Sequence, residues 1–224
     1  MLVLGIDSAT WTAAVGLVRD GIVLAEDVFR GSRSHTESLP ALLERVLAAG
    51  GVTLEDVDGL AVSIGPGSFT GLRVSLALAK GIAFAGGLPL APVSTLEALA
   101  WVADAAPGDT ICAALDARKH EVYAALFAVA AGGPRRLTPD VAQSPEQLAA
   151  ELPGACVLVG DASEAYRDLL GTHATVRPFA THHPRGGVIA RLGWQRLLSG
   201  EGVNPGELEP VYVRLPDAQL PGSR

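Results

Sequence analysis

Two aspartates, Asp7 and Asp116, each follow a short apolar run and open a polar turn. The apolar runs at residues 2–6 and 111–115 predict strands, so each carboxylate would stand at a strand end. Two carboxylates so placed in a two-lobed fold can hold a hydrated cation against nucleotide phosphates. An aspartate at such a corner also accepts hydrogen bonds from nearby backbone N–H groups, with no ligand involved. Neither turn contains glycine to bring a phosphate against bare backbone, which favours the structural role.

A glycine-rich stretch, SIGPGSFTGLR at residues 63–73, joins an apolar run to a predicted helix. Gly65, Gly67 and Gly71 allow the backbone to approach another segment or a ligand closely. The stretch is therefore either a tight strand-to-helix turn or a phosphate cradle. It lacks the Gly-Lys-Ser/Thr of a Walker loop and the GxGxxG pattern of dinucleotide-binding folds, so the structural turn is favoured.

Histidine, serine and cysteine residues offer little for metal or nucleophilic chemistry. A metal site at His35 would require a second histidine one turn later, where Leu39 stands instead. His120 lies beside the Asp116 turn, where it could orient a neighbouring group, and no GxSxG elbow singles out a serine nucleophile. Cys112 and Cys156 each lie within an apolar run, which predicts buried free thiols in a reducing cytoplasm.

Composition predicts a globular α/β chain. Of the 224 residues, 49% are hydrophobic and 18% charged, enough for one large domain or two smaller ones. The net charge of -7 argues against a chain that binds nucleic acid by itself, because counterion release requires clustered basic residues. No basic leader and no uninterrupted apolar run of membrane-spanning length stand out, so we expect a cytoplasmic protein.

The order of predicted elements repeats in the two halves of the chain. Three antiparallel strands, a helix, a strand, a helix and a strand are predicted in the first half, and Ser94 begins a further helix. The strand, aspartate, turn and strand pattern around Asp7 recurs around Asp116, and a third strand is expected at residues 137–141. We therefore expect two facing α/β subdomains, residues 1–103 and 104–224.

The helix after the glycine-rich stretch is apolar nearly all round, and its two charges, Arg73 and Lys80, share one face. Small residues recur every fourth position from Gly71, which would allow another helix to approach closely. Together with the apolar stripe of the preceding helix, this favours a helix-paired contact with a partner subunit. The candidate interface residues are His35, Leu39, Leu42, Leu43, Val46, Arg73, Ser75, Leu76, Ala79, Lys80 and Ala83.

Five segments together resemble the TsaB (YeaZ) family, the dimerisation subunit of the bacterial machinery that installs N6-threonylcarbamoyladenosine in transfer RNA. In order, they are LGIDSAT at residues 4–10, SRSHTESL at 32–39, SIGPGSFTGLR at 63–73, DARKHEVYAA at 116–125 and EPVYVR at 209–214. The resemblance covers nearly the whole chain.

The resemblance implies two ribonuclease-H-like lobes in an actin-like, sugar-kinase-like (ASKHA) arrangement. It also implies a non-catalytic subunit without a cofactor, which pairs with the catalytic subunit TsaD, is joined by the ATPase TsaE, and meets tRNA only through that complex. A homodimer would form when TsaD is absent. TsaD carries two metal-binding histidines four apart on the matching helix, and Leu39 after His35 departs from that pattern.

Two other functions stay open from the residues alone. A small-molecule kinase or ATPase of the same fold would use Asp7, Asp116, Gly65 and Gly67 to bind its nucleotide. A glycoprotease-like peptidase would need a nucleophile or a metal site that the sequence does not single out.

Overall fold

The first half of the chain forms a five-stranded mixed sheet. The structure is a computed structural model that describes residues 1–31, 35–172 and 174–214, with side chains of the first helix from Ser38 onward. The first five strands are β1 (Leu2–Asp7), β2 (Thr12–Arg19), β3 (Ile22–Arg30), β4 (Gly59–Gly65) and β5 (Leu90–Ser94). Their order is β3-β2-β1-β4-β5; the first three pair antiparallel, and β1, β4 and β5 run parallel.

Two long helices, α1 (His35–Gly50) and α2 (Phe69–Gly86), cover one face of this sheet. Their apolar side chains pack against inward-facing strand residues such as Leu4, Ile6 and Leu60. Ser68 caps α2 by accepting a 3.2 Å hydrogen bond from the N–H of Gly71. Gly87 follows the helix in the left-handed conformation, with φ of 62°, which ends it.

The second half repeats this plan in a second sheet. Its strands are β6 (Thr110–Arg118), β7 (Glu121–Ala130), β8 (Gly133–Arg136), β9 (Val141–Gln143), β10 (Val157–Val159) and β11 (Thr175–Val176). The order β11-β10-β6-β7-β8 places β6 in the centre, between β7 and β10, as β1 lies between β2 and β4 in the first sheet. Three short helices, α4 (Pro145–Glu151), α5 (Ala162–Ala165) and α6 (Arg167–Leu170), lie on one face. The predicted duplication is confirmed.

The third strand of the second lobe differs from the prediction of one strand at residues 137–141. Two short strands, β8 and β9, pair with opposite ends of β7 instead. Between them, the hydroxyl of Thr138 accepts a 2.9 Å hydrogen bond from the N–H of Leu126, and Pro139 has no N–H to donate. The Thr138 hydroxyl therefore replaces a backbone carbonyl as the acceptor for Leu126, whose own carbonyl still accepts a 2.8 Å hydrogen bond from the N–H of Leu137.

Two helices cross between the halves of the chain. The helix α3 (Thr95–Trp101) follows β5, yet its Leu96 and Leu99 pack into the core of the second sheet. Near the C-terminus, α7 (Gly186–Leu198) covers the remaining face of the first sheet. The expected division into residues 1–103 and 104–224 therefore separates α7 from the sheet it covers and crosses the packing of α3, whose Ala98 contacts the first sheet. Periodicity identifies a helix but not its sheet.

The chain after α7 runs back across the first lobe towards the second. The N–H of Val211 donates to the carbonyl of Ile64 at 2.7 Å, beside the end of β4. Arg214 then reaches Glu121 of the second lobe at 2.6 Å. Residues 211–214, which we call the C-terminal strap, thus contact both lobes. The proline and small polar residues from about Leu215 onward predict a frayed end, and this segment lies outside the described residues.

Candidate functional site

Asp7 ends β1 as a completely buried side chain. Its Oδ1 accepts a hydrogen bond from the hydroxyl of Ser63 and a longer one, 3.4 Å, from the N–H of Ala9. Its Oδ2 is buried without a hydrogen-bond partner among the described residues. Burial raises the pKa of Asp7 to about 6, and the two hydrogen bonds offset this only in part. A carboxylate closed off in this way serves the fold of the turn.

The glycine-rich stretch lies directly against the turn that follows Asp7. The N–H of Ser68 donates a 2.7 Å hydrogen bond to the carbonyl of Ala9, and the hydroxyl of Ser8 donates to the carbonyl of Gly71 at 2.7 Å. A Cβ on Gly67 would lie 2.2 Å from the Ala9 oxygen, and one on Gly71 would lie 1.9 Å from the Ser8 oxygen. These glycines are required for backbone-to-backbone contact, which supports the structural turn over the phosphate cradle.

A polar cleft of about 530 Å³ lies between the two lobes. Gly67 and Asp116 contribute to its lining, whereas Asp7 and Gly65 are buried and do not, so the structure does not bring these four candidates together. Other lining residues are Thr10, Trp11, Thr70, Arg118, Tyr123 and Asp161.

Asp116 belongs to a network of the second lobe. It accepts a 2.9 Å hydrogen bond from the N–H of Arg118 and contacts the Arg118 guanidinium at 3.1 Å, while Tyr166 donates to it at 3.4 Å. Its own N–H donates to Asp161 at 2.9 Å. Burial raises the pKa of Asp161 to about 6. Sequence reasoning missed Asp161, because its partner lies 45 positions away along the chain.

Most of the candidate interface residues lie in the core of their own lobe. Leu39, Leu42, Leu43, Val46, Ser75, Leu76, Ala79 and Ala83 are all buried there. This corrects the expectation that the small-residue stripe of α2 faces a partner: the stripe faces the sheet. The small residues of α2 allow a close approach to β-strands, and the two charged residues, Arg73 and Lys80, lie on the other side of the helix. The side chain of His35 lies outside the described residues.

The opposite face of α2 is exposed although it is mostly apolar. Phe69 is 45% exposed and Phe84 63%, unusually high fractions for large apolar side chains. Arg73, Ala77 and Gly81 are exposed between them, and Lys80 is half-buried. Of the predicted interface residues, Arg73 and Lys80 are therefore the two on α2 that remain accessible.

Two adjoining depressions flank this exposed face. One, of about 540 Å³, lies beside the first half of α2, and the other, of about 490 Å³, beside its second half. Ala77 and Leu78 contribute to both, so the depressions are continuous. We call them together the α2 groove, which is lined by Pro40, Phe69, Arg73, Ala77, Leu78 and Ile82 and neighbouring residues. The candidate interface residues chosen from the sequence did not include Phe69, Ala77 or Phe84, which the structure places on the exposed face of α2.

Among the described residues, α2 also has the length and composition of a membrane-spanning helix, with a mean hydropathy of 1.2 and 33% of that window buried. Its inward stripe, including Ser75 and Ala79, is built into the core of the first lobe. Inserting α2 into a bilayer would remove that stripe from its sheet, so the exposed apolar face is better explained as a surface for another protein.

Metal-ligand clusters are not found in the part of the chain that the structure describes. His183 is buried, and burial lowers the pKa of its imidazole. His120 lies 2.8 Å from Glu146, on the exposed side of the second lobe. Cys112 and Cys156 are buried free thiols, as predicted, and burial raises the pKa of both.

Comparison with known proteins finds close similarity along nearly the whole chain. The family model described as TsaD: tRNA N6-adenosine threonylcarbamoyltransferase matches residues 29–171. The tRNA threonylcarbamoyladenosine biosynthesis protein TsaB of Escherichia coli is 34% identical over 96% of this chain and 95% of its own length. TsaB of Bacillus subtilis is 30% identical over 98% and 96%.

A solved structure, YeaZ from Pseudomonas aeruginosa, superposes with a TM-score of 0.83 at 28% identity. The match covers 94% of this chain and 99% of that one. A tRNA N6-adenosine threonylcarbamoyltransferase from Geotalea uraniireducens is 35% identical over a shorter stretch, 43% of this chain and 33% of its own length. The chain therefore shares its fold with YeaZ and part of its sequence with a transferase.

Proposed function

The chain belongs to the TsaB (YeaZ) family and takes part in tRNA threonylcarbamoyladenosine biosynthesis, and we propose that it does so as a non-catalytic docking subunit. Its two ribonuclease-H-like lobes, in an ASKHA arrangement, present one helix to a partner. That partner is the catalytic, TsaD-like subunit. A TsaE-like ATPase joins the pair, and tRNA is bound through the complex. We place this assembly in the cytoplasm.

The observation that carries the proposal is the exposed apolar face of α2. Phe69, Ala77 and Phe84 lie on a helix whose other face holds the core of the first lobe together. Exposed contiguous apolar surface is costly in water and marks interaction sites in folded proteins. A partner helix laid along the groove would bury it at an interaxial distance of about 8–10 Å, since Ala77 and Gly81 are small.

The partial similarity to a threonylcarbamoyltransferase supports a partner of related fold. A related chain would carry helices equivalent to α1 and α2, and the two chains could pair these helices about a pseudo-two-fold axis. Two copies of this chain could pair in the same way when the transferase is absent. We therefore propose a heterodimer in the working complex and a homodimer of the isolated chain.

The buried state of Asp7 and the internal use of the glycine-rich stretch support a non-catalytic role. In a kinase or ATPase of this fold, a carboxylate at the end of β1 would have to reach the cation in the cleft. Asp7 is instead closed off, and the Ser68 N–H is already paired with the Ala9 carbonyl. Both features are those of a supporting turn beneath α2.

Reconstitution of tRNA modification tests the proposal. Purified TsaD-like and TsaE-like subunits, the threonylcarbamoyl-adenylate donor and tRNA should form threonylcarbamoyladenosine only when this chain is added. The chain alone, with donor and tRNA, should give none. Modification by the chain alone would overturn the non-catalytic role, and full modification without the chain would overturn its requirement.

A further inference from the structure

Arg73 is the charged residue at one end of the exposed face of α2, and two aromatic residues fix its side chain. Its guanidinium carbon lies 3.8 Å from the centroid of the Phe69 ring, a cation–π geometry. Its Nε donates a 3.2 Å hydrogen bond to the hydroxyl of Tyr212. The rings of Phe69 and Tyr212 are themselves 5.3 Å apart, so the three side chains form one cluster.

The C-terminal strap holds this cluster in place. Tyr212 follows Val211, whose N–H donates to the carbonyl of Ile64 at 2.7 Å. The strap is therefore tied to the end of β4, directly before the turn that leads into α2. Because Arg73 is held by a ring on its own helix and by a hydroxyl from the strap, less rotamer freedom remains to be lost when it binds a partner.

The two terminal nitrogens of Arg73 are left for another group. Arg73 is exposed and forms no ion pair with the acidic residues that the structure describes. Helix α2 contains no aspartate or glutamate, and Lys80 follows on the same face. Arg73 is the charged residue that lines the first half of the α2 groove, whereas Glu55 lines its second half, in a chain with a net charge of -7. An Arg fork of this kind matches a carboxylate in bidentate geometry.

We propose that Arg73 is a specificity-determining residue of the docking face and takes an aspartate or glutamate from a helix of the catalytic partner. This inference rests on the proposed function, because it presumes that the α2 groove is the docking site. An apolar groove accepts many helices of suitable size, whereas a preorganised guanidinium rejects those without a carboxylate at the matching position. Arginines that become desolvated when an interface forms are frequent hot spots.

Binding affinity for the purified catalytic subunit, measured by titration calorimetry at low and high salt, tests the inference. Arg73→Gln should weaken binding by about tenfold or more, because the partner carboxylate is left unpaired at the interface. It should also reduce the salt dependence of the dissociation constant, an effect that a purely structural role of Arg73 would not produce. Lys80→Gln is the matched control: it removes the same charge from the same face without the aromatic support, and should cost less than about threefold.

Tyr212→Phe provides a second variant if Arg73→Gln folds poorly, since it keeps the ring and removes only the hydroxyl that holds Nε. It should weaken binding by an intermediate factor of about threefold through freer rotation of the guanidinium. Arg73→Glu should be restored by reversing the charge of one carboxylate on the partner's contacting helices.

Binding by Arg73→Gln within twofold of wild type, with unchanged salt dependence, would overturn the inference. The docking proposal is tested separately by Ala77→Trp, which fills the middle of the groove. If Ala77→Trp abolishes binding while Arg73→Gln does not, the groove is the docking site and Arg73 is not its specificity residue. If Arg73→Gln dissociates the homodimer and leaves the heterodimer intact, the carboxylate belongs to a second copy of this chain and the stated partner is wrong.

Discussion

The N–H of Ser68 donates a 2.7 Å hydrogen bond to the carbonyl of Ala9, and so joins the glycine-rich stretch to the turn after Asp7. Ser68 is also the N-cap of α2, through the Gly71 N–H. One residue therefore both fixes the start of α2 and anchors it to the turn between β1 and β2. A rigid start to α2 in turn keeps its exposed face in a defined orientation.

The glycines of this turn give a prediction about stability. Gly71→Ala should lower the free energy of unfolding by about 3 kcal/mol, because the new Cβ would collide with the Ser8 carbonyl oxygen. Gly81→Ala is the matched control in the same helix: no atom lies within 4 Å of its Cβ position, so alanine should stabilise by ~1 kcal/mol. Urea unfolding of both variants measures this. Equal effects at the two positions would mean that the stretch does not pack as described.

The buried carboxyl of Asp7 predicts a pH-dependent stability. Its pKa is about 6 in the folded protein and near the ordinary value of 3.8 when unfolded, so between these values the folded state binds more protons. The contribution of Asp7 to stability therefore falls as pH rises through this window, by up to ~3 kcal/mol. Asp7→Asn lacks this loss. The free energy of unfolding of Asp7→Asn relative to wild type should therefore be higher at about pH 8 than at about pH 4.5.

Burial also raises the pKa of Asp161 to about 6, so its contribution to stability likewise falls as pH rises. Asp161 is present in both proteins. The difference between wild type and Asp7→Asn therefore isolates Asp7. A difference that does not change between these two pH values would contradict the raised pKa of this buried carboxyl.

Nucleotide binding should be weak or absent. The kinase alternative needs the glycine-rich stretch to cradle phosphate, and that stretch is engaged with the Ala9 and Ser8 carbonyls. Calorimetric titration of the isolated chain with ATP and magnesium should therefore give a dissociation constant weaker than about 1 mM. Tight binding that disappears in Asp116→Asn would instead favour an ATPase or kinase that uses the cleft between the lobes.

The sequence predicted the duplication, the order of strands and helices along the first half and the start of α3 at Ser94, because these depend on local patterns. It did not predict that α3 also packs into the core of the second sheet, or that α7 covers the first sheet. Such pairing depends on long-range contacts, for example the backbone of Gly186 against that of Gly16, where an added Cβ would lie 2.2 Å from the Gly16 nitrogen. Nothing in the spacing of either glycine reveals that contact.

The sequence singled out α2 as the helix that would contact a partner, but it did not predict which face of that helix is exposed. Leu76 and Ala79 were expected at the surface and are buried, whereas Ala77 was not singled out and is exposed. With only Arg73 and Lys80 as charges, the pattern itself contained the answer, since the side of the helix that carries its charges is the one that faces water. The small-residue stripe favoured the wrong face, because small residues also allow a helix to approach a sheet.

The most direct test of the account is the affinity of Ala77→Trp for the catalytic TsaD-like subunit. Ala150→Trp is the control, an equally exposed alanine on α4 of the second lobe. We predict that both variants fold as wild type does, that Ala150→Trp binds normally, and that Ala77→Trp loses binding by about a hundredfold or more. Binding of Ala77→Trp with wild-type affinity would show that the exposed face of α2 is not the docking surface.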